Sequence, residues 1–169
     1  YFKNMYLRVL RALDYVKTLP EWDGKNLIVI GSSQGGAQAI VAAALDPQVS
    51  LCLTGVPALS DHCGNLAGRQ SGWPRLFAVR DGKPADAKTA EVSKYYDNVN
   101  FAKYIKAPVY MTVGMIDLTC VPTSVYAVSN NLPAATEKHM TIFPTEGHVG
   151  KNPAGYNAMN KILRQAAKK

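Results

Sequence analysis

Gly31-Ser32-Ser33-Gln34-Gly35-Gly36 stands directly after the apolar run Leu27-Ile28-Val29-Ile30. A strand-like run entering G-x-S-x-G, followed by small residues, is the pattern of a nucleophile elbow. Such a turn passes sharply from strand to helix and holds its central serine in a strained backbone conformation. Gly31 and Gly35, two positions either side of Ser33, leave room for the turn. Gly36 and Ala37 let the following helix approach the sheet. The Ser33 hydroxyl then projects at the end of the strand, and the backbone N–H of Gln34 faces the oxyanion that forms when a carbonyl is attacked. The chemistry such a group serves is acyl transfer. The same residues also read as a glycine-rich connection without chemistry, so the partners decide.

A serine hydroxyl becomes a nucleophile beside a base, and the base needs an acid to orient it. The acid candidate is Asp117, in Gly114-Met115-Ile116-Asp117, just past the apolar run Pro108 to Val113. An aspartate there also reads as a turn or helix-capping residue, since Thr119 and Pro122 follow. Asp61 competes for the role from an earlier loop. The base candidate is His148, in Glu146-Gly147-His148, just beyond the run Lys138 to Phe143. Of the other two histidines, His139 lies at the start of a strand and His62 precedes Asp117. The chain order serine, acid, histidine is that of the α/β-hydrolase sheet, on which the three groups sit at the carboxyl ends of successive strands.

The elements that must position these groups follow from periodicity. Phe2, Met5, Val9, Leu13 and Val16 recur at helical spacing, which predicts an amphipathic helix ending near Leu19-Pro20. Leu27 to Ile30 predicts a first strand, Gln34 to Leu45 a helix, and Val49 to Thr54 a second strand. Ala58 to Pro84 reads as a long excursion near the carboxyl edge of the sheet. Ala85 to Tyr96 and Phe101 to Ile105 read as helices joined by a turn at Asp97-Asn98. Pro108 to Val113 and Lys138 to Phe143 complete the strands, with a helix over Pro122 to Asn131 between them. Tyr156, Met159, Leu163 and Ala166 mark one face of a closing helix. Strands alternating with helices predict an α/β fold with a parallel sheet and right-handed crossovers.

At 169 residues, 47% hydrophobic and 18% charged, the chain can bury a core as one domain. No apolar run reaches the roughly 18 residues of a membrane span, so no membrane partner is expected. The net charge is +7, but Lys3, Arg8, Arg11 and Lys17 fall on one predicted helix and Lys161, Arg164, Lys168 and Lys169 on another. Both sets read as solvated faces without a nucleic-acid motif, which excludes nucleic acid as the expected partner. Cys52, Cys63 and Cys120 lack metal-type spacing, and an odd count gives no complete disulfide framework. The chain opens on Tyr1-Phe2-Lys3 without a methionine, which leaves its compartment unassigned.

Several segments together resemble the acetyl xylan esterase and cephalosporin C deacetylase family of carbohydrate esterases. They are Leu19-Pro20-Glu21-Trp22-Asp23, the elbow itself, Ser71-Gly72-Trp73-Pro74, Tyr95-Tyr96-Asp97, Asp117 with Cys120-Val121-Pro122-Thr123, and Gly147-His148. The family pattern often has glycine where Ser32 stands and proline where Val121 stands; neither departure removes a chemical group, and Ser32 is expected to crowd the elbow. The resemblance implies a serine hydrolase that removes acetyl groups from short acetylated sugars and similar small esters, without metal or organic cofactor. It maps Ser33, Asp117 and His148 onto the triad and the Gln34 N–H onto one oxyanion donor. It also implies self-association, since the family forms ring-like oligomers, commonly hexamers. An α/β-hydrolase of this type has several strands before the elbow strand, one of them supplying the second oxyanion donor. The expectation is therefore that residues 1–169 form the C-terminal catalytic part of a single α/β-hydrolase domain, with its N-terminal half as the missing partner. Another hydrolase of the same fold, a peptidase or general carboxylesterase, and a non-catalytic fragment remain the alternatives.

Overall fold

Two kinds of apolar pattern build the molecule. Runs such as Leu51-Cys52-Leu53 and Val109-Tyr110-Met111 are apolar at successive positions, as befits parallel strands covered on both faces. The terminal segments instead show helical spacing, with one face for the core and one for water. The computed structural model describes residues 1–77, 86–148 and 153–166, with the closing helix's side chains described from Asn157 onward. In chain order the elements are α1 (Phe2–Val16), β1 (Ile28–Ser32), α2 (Gln34–Leu45), β2 (Leu51–Gly55), α3 (Ala87–Ser93), α4 (Asn98–Ala102), β3 (Val109–Gly114), α5 (Pro122–Asn130), β4 (Lys138–Phe143) and α6 (Pro153–Ala166). A short 3-10 turn at Gly64–Ala67 interrupts the long excursion, and another at Lys94–Tyr96 extends α3.

Among the described residues the four strands lie in the order β1-β2-β3-β4, all parallel. Helices α2 and α5 pack on one face, α4 touches both of them, and α1 lies outside α2. That face holds the main core, built on Val29, Ile40, Cys52, Val109, Val113, Val125 and Val128. Each such aliphatic side chain contributes about 1.5–3 kcal/mol by leaving water. Helix α6 covers part of the other face, where Met159 packs on Leu51 and Leu53. Met159 carries the closing helix's expected contact; Tyr156 lies outside the described side chains.

The differences from the sequence reading have local causes. β1 runs on through Gly31 and Ser32 because both pair in the ladder, Gly31 with Thr54 and Ser32 with Gly55. Ladder pairing there outweighs the low strand preference of glycine and serine. The helix expected from Phe101 begins at Asn98 instead, because the Asp97 carboxylate accepts the Val99 N–H at 2.9 Å and caps it. Lys17 does not belong to a solvated face: it is ion-paired with buried Asp46 at the far end of α2, with only 18% of its side chain exposed. Part of the excursion, residues 78–85, lies outside the described residues.

The turn from β1 into α2 leaves no space at one glycine. A Cβ on Gly31 would stand 2.2 Å from the backbone of Gly35, whereas a Cβ on Gly35 would meet nothing within 4 Å among the described residues. Only the first of the two expected spacing glycines is therefore required by sterics here. Gly36 is tight for another reason, since its Cβ would meet Thr54 Oγ1 at 2.8 Å and the Gly55 carbonyl at 2.9 Å. Gly31→Ala is predicted to destabilise by about 3 kcal/mol or more, the upper end for overpacking against backbone. Gly35→Ala should change stability by less than about 1 kcal/mol. Urea-unfolding midpoints of the two variants check both.

Candidate active site

Ser33 sits between β1 and α2 with φ 55° and ψ −117°, far from the conformations a residue with a Cβ prefers. Such a residue costs on the order of 1–3 kcal/mol and persists only where its surroundings impose it. Those surroundings are visible. The Ser33 N–H donates to the Gly55 carbonyl at 2.9 Å, and the Ser33 carbonyl accepts from Ala37 N–H and Ala58 N–H, each at 3.0 Å. The neighbouring Gln34 is the first residue of α2, so its N–H has no partner within the helix and lies at the positive end of the helix dipole.

Asp117 and His148 arrive on the loops after β3 and β4, at the same edge. These loops are joined: Met115 N–H donates to the Phe143 carbonyl at 3.0 Å and Ile116 N–H to the Glu146 carbonyl at 3.1 Å. They cross so closely that a Cβ on Gly114 would stand 2.5 Å from the Glu146 carbonyl oxygen. Sequence reasoning did not give Gly114 this role; its signal is a glycine ending a strand three residues before the candidate acid.

The structure brings Ser33, His148 and Asp117 together. His148 Nε2 is 3.0 Å from Ser33 Oγ, and His148 Nδ1 is 2.8 Å from Asp117 Oδ2. The Asp117 carboxylate can only accept, so Nδ1 carries the proton and Nε2 is left to accept from the serine hydroxyl. Asp117 Oδ1 accepts Thr119 N–H at 2.7 Å and Cys120 N–H at 2.9 Å. The carboxylate thus both receives the imidazole and shapes its own turn, so the two readings of Asp117 coexist. Its side chain is fully buried, whereas a quarter of the His148 side chain faces solvent. The arrangement can take a proton from Ser33 and deliver it to a group at the open edge.

The other candidates lie elsewhere. Asp61 is held by Arg69, whose guanidinium reaches its carboxylate at 3.0 Å. His139 is exposed on β4, 2.8 Å from Glu137 and stacked on Tyr110 with centroids 4.3 Å apart. His62 is almost fully buried, its ring stacked on Phe2 with centroids 6.4 Å apart. Burial lowers its basicity, and the charge of Asp97 opposes that shift. Trp73 packs into the small core beside the site, and its backbone N–H donates to the Thr119 carbonyl at 2.7 Å. Tyr126 packs against the main core, while Tyr95 is exposed. Among the described residues no His, Cys, Asp or Glu cluster could hold a metal ion.

Cys120 is a neighbour the sequence reading left without a role. It is fully buried, and burial together with the Asp117 charge pushes its thiol up to about 12, with Ser33 opposing. Cys52 in the core is likewise pushed up to about 12 by burial. Both stay protonated and unreactive at neutral pH. Ser32, expected to crowd the elbow, turns its side chain over Gly55; a Cβ there would lie 3.3 Å from Ser32 Oγ and 3.3 Å from Thr112 Oγ1. Both hydroxyls are buried without a hydrogen-bond partner among the described residues.

Two outcomes are expected. Unfolded thiols titrate near 9 and these two near 12, so above pH 9 the unfolded state binds fewer protons. The stability they contribute is complete below pH 9 and lost as pH rises toward 12; urea titrations across that window, native against Cys52→Ala, measure it. Ser32→Ala removes an unpartnered buried hydroxyl and should raise stability by about 1 kcal/mol. A loss of that size in the unfolding midpoint would contradict the assignment.

Comparison with known proteins gives the family of the chain. The family model described as acetyl xylan esterase (AXE1) matches residues 1–165. The acetyl esterase Axe7A of Xylanibacter ruminicola is 40% identical over 165 residues, which are 98% of this chain and 37% of that protein. The solved acetyl xylan esterase from Paenibacillus sp. R4 superposes with a TM-score of 0.81 at 32% identity, covering 98% of this chain and 53% of that one. Acetyl xylan esterase 1 from Thermoanaerobacterium sp. JW/SL YS485 gives 0.77 at 30% identity, covering 94% and 51%. The chain therefore spans about half the length of these solved relatives and less of the curated one. Its sheet and helices have the α/β-hydrolase fold, and the chain belongs to the acetyl xylan esterase family.

Proposed function

We propose that this chain is the C-terminal catalytic part of a single α/β-hydrolase domain that removes acetyl groups from acetylated xylan, xylo-oligosaccharides and similar small esters. The observation that carries the reading is the unbroken hydrogen-bond path from the strained Ser33 through His148 to buried Asp117. Family membership supports the ester as substrate, and the named relatives act on acetyl esters.

The steps follow from the roles. Ser33 Oγ attacks the acetyl carbonyl carbon as its proton passes to His148 Nε2. The carbonyl oxygen becomes an oxyanion facing the Gln34 N–H, a donor worth about 2.7–4 kcal/mol in comparable sites. Asp117 stabilises the imidazolium through Nδ1–H. The C–O bond to the sugar then breaks, His148 protonates the departing hydroxyl, and an acetyl-serine remains. Water, deprotonated by His148, attacks this ester and releases acetate with Ser33 restored.

Acetate release from acetylated xylo-oligosaccharide by the full chain tests the reading. Ser33→Ala should lower kcat by a factor on the order of 10⁴ or more, with the fold retained by circular dichroism. Turnover that survives the substitution, or peptide cleavage faster than deacetylation, would overturn it.

A further inference from the structure

The connection after β2 is bent against its own preferences. Val56, Leu59 and Asp61 have positive φ of 36°, 56° and 54°. Side chains with a Cβ enter that region only when neighbours impose it, and the branched Val56 least readily. The hydrogen bonds identify what imposes it. The buried Asp97 carboxylate accepts Asp61 N–H at 2.9 Å on Oδ1 and His62 N–H at 2.7 Å on Oδ2. The next residue, fully buried Asn98, donates from Nδ2 to the Ala58 carbonyl at 2.7 Å and from its own N–H to the Leu59 carbonyl at 2.9 Å. Two consecutive residues therefore hold four of the loop's backbone groups, from Ala58 to His62.

The loop they hold touches Ser33. The N–H of Ala58 donates to the Ser33 carbonyl at 3.0 Å, on the residue whose own backbone is strained. The brace is also anchored. Asp97 caps α4, and α4 packs against both α2 and α5. Tyr95-Tyr96-Asp97, one of the stretches singled out in the sequence, thereby acquires a physical role.

We propose that Asp97 and Asn98 are positioning residues for Ser33, acting through Ala58: they hold the strained loop so that its N–H fixes the Ser33 carbonyl and hence the direction of Oγ. This rests on the reading of Ser33 as the nucleophile. The loss of the brace lowers the reactivity of Ser33 rather than the affinity for substrate, because neither side chain meets the open edge.

The test uses Asp97→Asn, which puts a donor against the His62 N–H, and Asn98→Ala in the full chain. Asp46→Ala is the comparison; it breaks the Lys17 pair at the other end of the 12-residue α2, roughly 18 Å away by helix rise. Amide hydrogen exchange at Ala58 and His62 should quicken at least tenfold in the brace variants, with β2 and β3 amides still protected. The rate of Ser33 phosphonylation by a fluorophosphonate and kcat for p-nitrophenyl acetate should both fall about tenfold, with KM within twofold. Asp46→Ala should lose stability with Ser33 reactivity unchanged. Should Asp97→Asn not fold, Asn98→Ala carries the comparison. The proposal is overturned if Ala58 stays protected, or if Ala58 is freed while Ser33 reacts within twofold of the native rate. Absence of phosphonylation in the unsubstituted protein counts against the esterase reading, and the exchange at Ala58 then decides the brace alone.

Discussion

The backbone of Ser33 is the constraint that the surrounding structure serves. A φ of 55° with ψ of −117° is held in place from three sides. Below, the Ser33 N–H is tied to the end of β2 through Gly55; above, its carbonyl takes N–H groups from α2 and from the loop after β2. At the flank, Gly31 and Gly35 come so close that no side chain fits on the first. The Thr54 hydroxyl donates to the Gly36 carbonyl at 3.1 Å and draws the start of α2 onto the sheet. Gly31 before the bend and Gly36 after it are thus its steric conditions, and the bend takes the serine hydroxyl off the carboxyl end of β1 toward a histidine delivered by β4, three strands across the sheet.

How much of this was legible in the sequence depended on whether a signal was local. Gln34–Leu45 and Lys138–Phe143 match the expected helix and strand residue for residue, because the stops are local, at Asp46-Pro47 and at Pro144. The start of α4 was misplaced because Asp97 reads as a turn residue unless its carboxylate is known to cap. The order of Ser33, Asp117 and His148 along the chain could be read directly. Their separations in space could not, and neither could the ion pair with Arg69 that engages Asp61. The partners of Asp97 lie 36 and 35 residues away, a distance over which no periodicity reports.

Charge was legible in amount and only partly in place. The excess of lysine and arginine predicted two solvated faces, and Arg8 and Arg11 on α1 are exposed as expected. Lys17 is the exception. Its position near the end of α1 brings it to Asp46, where the carboxylate also accepts the Gln48 N–H at 3.0 Å and is too buried to stand without a cation. One basic residue of the surplus is thereby spent on fastening α1 to the helix that follows the elbow.

The loops after β3 and β4 are joined to each other near two of the three groups of the site. Asp117 and His148 ride on segments that are hydrogen-bonded to each other and cross at Gly114 with no space for a side chain. Ser33 belongs to the turn from β1 into α2, which is tied to β2 through Gly55, and β2 pairs with β3. The 2.8 Å contact between imidazole and carboxylate therefore lies within one joined pair of loops, whereas the 3.0 Å contact with the serine reaches from that pair to the turn after β1. One link of the three-residue path is thus local to a pair of neighbouring loops, and the other spans the sheet from β4 to β1.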